Sequence, residues 1–364
     1  MQTAQAKAPN PLASVTLGSG VVPVVEFNRL MADRAKHFAD KTVKAGNLMM
    51  DNQGNIVQDT GNAQDRPTYP LQKHALMLLG ARLGIGSYIS KCPAEPEEIV
   101  TSDAKITASL RAINVNYWLK KRSHKELLMR LDAISGQPEI RAVLSKQYSP
   151  IGNDEVSREL TTVPGASDLS VRFEWTPMYL YAHIISDKCK MTTPNGEVIQ
   201  GAIHLRNSEV GLSKIVLESM VMKEAAPTGA ILREWSGFNK VHKMDRGDLF
   251  RAFRESVPQI FSNMSGALQK YADLQKIGVN DPNGLLETIG NERANMFNED
   301  QKEAIKTACS QEGELKTMWN IVNVLTRAAG DQTLPPMDRE KLMKSGGKIV
   351  YDIRNYGVWT RQQI

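Results

Sequence analysis

Residues 169–185 read LSVRFEWTPMYLYAHII. The run is rich in β-branched and aromatic side chains and alternates in part between apolar and polar positions, which predicts strand rather than helix. The same character continues through residues 198–205 and 213–222, and Pro194, Asn195 and Gly196 place a strong turn signal ahead of the first of these. An earlier strand starts at residues 141–144, while residues 126–130 read either as the end of a helical region or as the entry to a strand. Strands following one another through turns point to a central, mostly antiparallel sheet.

Helical periodicity surrounds this stretch. In residues 71–89, LQKHALMLLGARLGIGSYI, the apolar Leu71, Ala75, Leu78, Leu79 and Leu83 share one helical face, and Gly80, Gly84 and Gly86 read as a helix end and turn. Residues 102–130 form a second helical region through Leu110, Ile113, Tyr117 and Leu119. Residues 248–276 predict one long helix, and residues 298–309 and 313–329 two more, the last closed by the turn residues of 331–336. Upstream, residues 1–20 read as a flexible arm, and a helix is expected around residues 29–45. Residues 51–70, with NQGN, TGN and DRP, read as a hairpin or mobile loop. The fold class is therefore α+β, a central mostly antiparallel sheet flanked by helices, with a helical C-terminal part. The expected units are residues 1–65 (arm and loop region), 66–245 (α+β core) and 246–364 (helical region).

Composition limits the function classes. With 41% hydrophobic and 23% charged residues the chain of 364 is ordinary for a soluble globular protein. No stretch approaches the roughly 20 apolar residues of a membrane span, and the first residues lack the apolar core of a secretory signal. The three cysteines, Cys92, Cys189 and Cys309, are scattered, which argues against a disulfide framework or a zinc site and for reduced thiols in the cytoplasm. A net charge of +5 permits nucleic-acid contact without demanding it.

Catalytic signatures are missing. His37, His74, His124, His183, His204 and His242 show neither HExxH nor HxH spacing; His183 and His204 lie in expected strands and could face each other as structural histidines. The GARLGIGS segment lacks the Gly-Lys-Ser/Thr of a phosphate loop. Glu155, Glu174 and Glu209 have no evident partner in the sequence. No cofactor and no metal site is implied.

Basic residues are more informative. Lys120, Lys121, Arg122, His124 and Lys125 follow Tyr117 and Trp118; Arg233, Lys240, His242, Lys243, Arg246, Arg251 and Arg254 lie near Trp235 and Phe238. Cations neutralise phosphates while aromatic faces stack on unpaired bases, the combination a single-strand binder needs. The same pattern also fits a solvated face over a core aromatic.

Two stretches, RAVLSKQYSPIGNDEV (residues 141–156) and GAIHLRNSEVGLS (residues 201–213), carry a resemblance. With LQKHALMLLGARLGIGSYI, INVNYWLKKR (Asn116, Trp118) and MWNIVNVLTRAA (Trp319, Asn323, Thr326, Arg327), they are similar in order and spacing to a family of phage- and plasmid-borne proteins known as domain of unknown function 932. The matched residues include Arg141, Ser145, Tyr148, Asn153, Asn207, Ser208, Glu209, Gly211 and Ser213, and the resemblance spans roughly residues 71–329. Where that family carries a Cys-x-Asn-Gly run, this chain reads AAPTG, with Thr228 and Gly229 in place of Asn-Gly, so no role can fall to that cysteine. The resemblance implies a mobile-DNA context and assigns no chemistry. Asn116, Asn153, Asn207, Ser208 and Gly211 also suit turn and capping roles.

The expected function is binding of single-stranded DNA in the bacterial host cytoplasm, with assistance to annealing or recombination. Lys120, Lys121, Arg122, Lys125, Arg141, Lys240, Lys243 and Arg246 would meet phosphates, Trp118 and Tyr148 would stack on bases, and Asn207, Ser208, Glu209 and Gly211 form the family-like loop. A homo-oligomer suits an annealing protein, although no coiled-coil heptads are present. The alternative is a non-enzymatic virion component or an inhibitor of a host factor; a DNA-modifying enzyme is a third, weaker reading.

Overall fold

The computed structural model describes residues 20–62, 64–86, 88–100, 105–224, 226–232, 238–240, 245–292 and 296–360. Residues 1–19 of the arm expected over residues 1–20 lie outside the described residues, as do Arg233, Trp235, His242 and Lys243.

From residue 22 the N-terminal region is part of the body rather than an arm. β1 (Val22–Pro23) leads into α1 (Val24–Ala35), which buries Val24, Phe27 and Met31. The helix expected around residues 29–45 ends at Ala35, and β2 (Phe38–Lys44) follows, an edge strand with mostly exposed side chains. β3 (Leu48–Met50), β4 (Ile56–Gln58) and β5 (Thr68–Tyr69) form a three-stranded antiparallel sheet, so residues 51–70 contain a hairpin. α2 (Lys73–Leu83) stops at Gly84, whose φ of 81° places it in the left-handed region that favours glycine. After α3 (Tyr88–Lys91) come β6 (Pro96–Val100), β7 (Lys105–Ser109), α4 (Leu110–Lys121), β8 (Glu126–Asp132) and β9 (Glu139–Ser145). The helical region expected over residues 102–130 thus shrinks to α4, with paired strands on both sides.

The main sheet follows α5 (Asn153–Thr161). β10 (Leu169–Trp175), β11 (Leu180–Thr192), β12 (Val198–Asn207), β13 (Ile215–Lys223) and β14 (Gly229–Leu232) pair in sequence order, with β1 beside β10 and β15 (Phe238–Lys240) beside β13. Every pairing is antiparallel, as the alternating runs required. The C-terminal part is helical: α6 (Arg246–Ser262), α7 (Met264–Asp273), α8 (Pro282–Asn291), α9 (Glu299–Glu312), α10 (Met318–Ala328) and α11 (Pro336–Tyr351). The single long helix expected over residues 248–276 is interrupted at Asn263, where the poor helix formers Ser262 and Asn263 meet.

These helices do not form a separate unit. α1, α6 and α7 cover one face of the main sheet, where Phe27 packs on Phe173 with ring centroids 5.0 Å apart and Met264 packs beside Gly201. α11 covers the other face, close enough that a Cβ on Gly347 would strike the backbone of Ile231. One continuous core runs from Val24 to Tyr356. A second core unites α2, α4, the β2–β8–β9 sheet and the β3–β4–β5 sheet. Between them lies a small cluster of Leu78, Leu128, Ala142, Leu144 and Val210, with Val210 contributed by the connection after β12.

Candidate nucleic-acid interface

α4 has a clear inside. Ser109 caps it, its Oγ accepting from the Ala112 N–H, and Ala112, Val115 and Leu119 face the second core. The outward face carries Leu110, Ile113 and Tyr117, which are 36%, 40% and 57% exposed. Cations crowd its C-terminus, where they answer the helix dipole. Lys121 Nζ lies 5.6 Å from the Tyr117 ring centroid and 5.1 Å from that of Trp118, while Arg122 Cζ lies 5.6 Å from the Trp118 ring. Trp118, packed against the second core, is thus already flanked by cations; Tyr117 is the more open ring. Lys120 is exposed, and Lys125 Nζ donates to the Arg82 carbonyl at 2.6 Å. Among the described residues no carboxylate lies within 4.0 Å of a side-chain nitrogen of Arg82, Lys120, Lys121, Arg122 or Lys125.

The second basic group is different. Lys240 ends β15, and Lys243 lies outside the described residues. Arg246 Nη1 sits 2.9 Å from Glu155 and its Nη2 donates to the Pro150 carbonyl at 2.6 Å. Arg251 pairs with Asp248 and Arg254 with Glu159. Arg246 remains half exposed beside Glu155, so the pairing reduces its pull on a phosphate without closing it off.

Arg141 is a clear correction. It is 2% exposed and donates to Glu209 Oε2 at 2.9 Å, with its guanidinium 3.6 Å from the centroid of Phe38. A phosphate cannot reach it. Arg130 pairs with Ala142 and Leu131 with Ile140, so Arg141 is the extra residue of a bulge in β9. Tyr148, expected to stack on bases, is half-buried against the Leu144 and Val210 cluster, and burial pushes its hydroxyl up to about 12.

Glu209 gathers the family-like residues. Its Oε1 accepts from the Asn153 N–H at 2.8 Å, at the N-terminus of α5, where a carboxylate is favoured. Its carbonyl accepts from Arg130. Burial pushes the Glu209 carboxyl up, but Arg141 and Arg130 more than offset this and hold it below its ordinary value. Asn207 Nδ2 donates to the Ile151 carbonyl at 3.1 Å and to Asn153 Oδ1 at 2.8 Å, and Ser208 Oγ donates to the Met178 carbonyl at 2.8 Å. Gly211 has a φ of 79°, and a Cβ there would lie 2.9 Å from Leu144. Asn116 likewise clamps β3, accepting from the Met50 N–H and donating to its carbonyl. These bonds give Asn207, Ser208 and Glu209 structural roles, and the φ of Gly211 gives it one. The partner of Glu209, 68 residues away in sequence, carried no local signal.

A buried polar strip lies under α11. Arg172, His183, His204 and Glu218 stand side by side on four neighbouring strands. His183 and His204 face each other as expected, with ring centroids 5.5 Å apart, and His204 Nε2 lies 3.7 Å from Glu340 Oε1. Burial, then His204 and Arg172, holds His183 well below its ordinary value. From α11, Arg339 grips Glu174 with both oxygens at 2.6 Å, and Glu340 receives Arg206 at 2.7 Å. His204, Glu218 and Glu340 have the grouping of metal ligands. Lys344 Nζ, however, lies 3.0 Å from Glu218 and 2.7 Å from Glu340, so an ammonium already bridges the two carboxylates. Sequence reading missed Glu340 and Lys344 because α11 was not anticipated.

A cleft of about 580 Å³ opens between the β13–β14 turn and helices α7, α9 and α10. Thr228, Asn323, Thr326 and Arg327 line it. Its polar groups serve one another: Thr228 donates to the Thr326 carbonyl, Tyr271 to Asn323, and Arg327 pairs with Glu312. No family model, curated protein or solved structure matches this chain.

Proposed function

We propose that the protein binds single-stranded nucleic acid, foremost DNA, on the C-terminal half of α4. The observation that carries this reading is Tyr117, an exposed ring with Lys121 beside it at the C-terminal end of α4, where Lys120, Lys121, Arg122 and Lys125 have no carboxylate partner among the described residues. An unpaired base can stack on such a ring while its phosphates meet the cations, whereas a duplex keeps its bases stacked inside. The resemblance to mobile-element proteins suits a part in annealing or recombination in a bacterial cytoplasm, with self-assembly on the strand. No helix among the described residues is long and apolar enough to cross a membrane.

The test is a labelled single strand against the matching duplex, titrated at several salt concentrations. Single strands should bind more tightly, with affinity falling steeply as salt rises. Lys120→Ala with Lys121→Ala should weaken binding and flatten the salt slope by about two charges, while stability moves by about 0.5 kcal/mol or less. Unchanged binding would make the run a solvated face only. The second reading, a protein-interaction surface, is favoured by the apolar stripe of Leu110, Ile113 and Tyr117. It predicts that no oligonucleotide binds at low salt.

A further inference from the structure

We infer that the free edge of β2 is a self-pairing surface, which joins two copies of this chain into one continuous antiparallel sheet about Thr42. β2 lies at the end of the β2–β8–β9 sheet and pairs with β8 in unbroken register, from Phe38 opposite Asp132 to Lys44 opposite Glu126. Bonds at the two ends of this ladder fix which residues point outward. The Ala133 N–H donates to the His37 carbonyl at 2.9 Å, and the Ala45 N–H to the Lys125 carbonyl at 2.8 Å. The odd-numbered residues of β2 therefore exchange bonds with β8, and the even-numbered ones turn their backbone groups away from it. Among the described residues, the outward N–H and C=O groups of Phe38, Asp40, Thr42 and Lys44 have no partner. The side chains of Asp40, Thr42 and Lys44 are exposed.

Such an edge is a template for another strand, and edge lysines ordinarily discourage indiscriminate pairing. Here the charges select one partner. Only the even-numbered residues offer outward groups, so two antiparallel copies meet in few registers. Centred on Asp40 or on Lys41, the strand sets a like charge against its own copy. Centred on Thr42, it sets Asp40 opposite Lys44 of the second copy, twice over, and Thr42 opposite Thr42, which are favourable cross-strand pairs. Three hydrogen-bonded pairs then form, each exchanging two bonds. Centred farther along in either direction, fewer pairs remain. Lys44 is free for this role, since no carboxylate among the described residues lies within 4.0 Å of its ammonium. Asp40 holds Arg130 through Oδ1 at 2.8 Å and stays 37% exposed, so its carboxylate remains within reach. An unrelated extended peptide would satisfy the same backbone groups without this charge match. The pairing stands apart from the strand-binding reading, but on that reading it has a use. β2 runs into the basic end of α4, with Ala45 bonded to Lys125 and the Gly46 N–H donating to the Ser123 carbonyl. In the paired sheet the two copies of Ala45 lie about 20 Å apart along the strands, at about 3.3 Å per residue. One single strand can then span both basic ends and gain by avidity.

The test is sedimentation equilibrium of the full chain at concentrations up to about 1 mM, the weak end of specific association. A monomer–dimer equilibrium supports self-pairing, and a monomer at every concentration overturns it. Thr42→Pro is the specific probe. The N–H it removes points outward, so the ladder to β8 keeps its bonds while the edge is blocked. The dimer should disappear with the melting temperature unchanged; an undiminished dimer of folded Thr42→Pro overturns the β2 edge. Lys44→Glu tests the register without a proline in the strand. It opposes like charges at both ends and should weaken the dimer roughly tenfold, whereas unchanged association overturns the pairing about Thr42. Oligonucleotide titration of the same samples separates the two readings. A dimer that binds no oligonucleotide overturns strand binding and keeps the self-pairing, while a strict monomer that binds single strands does the reverse.

Discussion

Glu209 shows how much one side chain can hold. Its two oxygens tie β9, through Arg141, to the N-terminus of α5, through the Asn153 N–H. Removing one member of a buried ion pair leaves the other charged and unsatisfied, which is the destabilising part. Glu209→Gln keeps the shape and deletes the charge, and should lower stability by about 3 kcal/mol, measured by urea unfolding. Gly211→Val should be comparably harmful for a different reason. Its φ of 79° resists a β-branched residue, and the added Cβ meets Leu144 at 2.9 Å. A stability change within about 0.5 kcal/mol for either variant would contradict these structural roles. A turn role for Gly211 was legible in sequence, since it lies between strand-like runs. The Arg141–Glu209 pair was not, because nothing near residue 141 encodes what residue 209 will supply.

At the scale of elements, the strand runs of residues 169–222 were legible because a sheet buried on both faces needs apolar, β-branched and aromatic residues over its length, although the first run divides into β10 and β11. Their buried polar strip has a consequence for pH. His183 is held well below its ordinary 6.5 by burial, with His204 and Arg172 adding repulsion. The unfolded chain takes up a proton near that value and the folded chain resists it. Stability is therefore full above about 6.5 and declines progressively as the pH falls towards the folded value. His74, also lowered, adds to the same trend. Chemical unfolding at pH 7.5 and at pH 5 should show the decline, and His183→Gln should make it shallower. An equal slope in both proteins would mean that His183 titrates normally. The α4 boundaries were less legible, because the same apolar periodicity ran on into β8, where pairing with β2 and β9 overrides helical preference.

At the scale of the molecule, two hydrophobic cores meet through a narrow joint of Leu78, Leu128, Ala142, Leu144 and Val210, locked at its edge by Glu209. Leu144 is 3% exposed and belongs to this cluster. Leu144→Ala should cost about 2–5 kcal/mol through a cavity. It should also loosen the coupling, so that unfolding followed by tryptophan fluorescence and by far-ultraviolet circular dichroism ceases to coincide. Coincident transitions would show that the cores remain one cooperative unit without it. The sequence by itself determined the α+β class, the antiparallel order of the main strands and the helical texture after residue 246, since each follows from side-chain periodicity along a short stretch. Only the tertiary structure decided that the C-terminal helices share the sheet's core, that Arg246 pairs with Glu155 and Arg141 is buried, and that the cations around α4 have no carboxylate partner among the described residues. Burial and ion pairing depend on which distant residues arrive at the same place, and for Arg141 and Glu209 that is a property of the packed chain rather than of either segment.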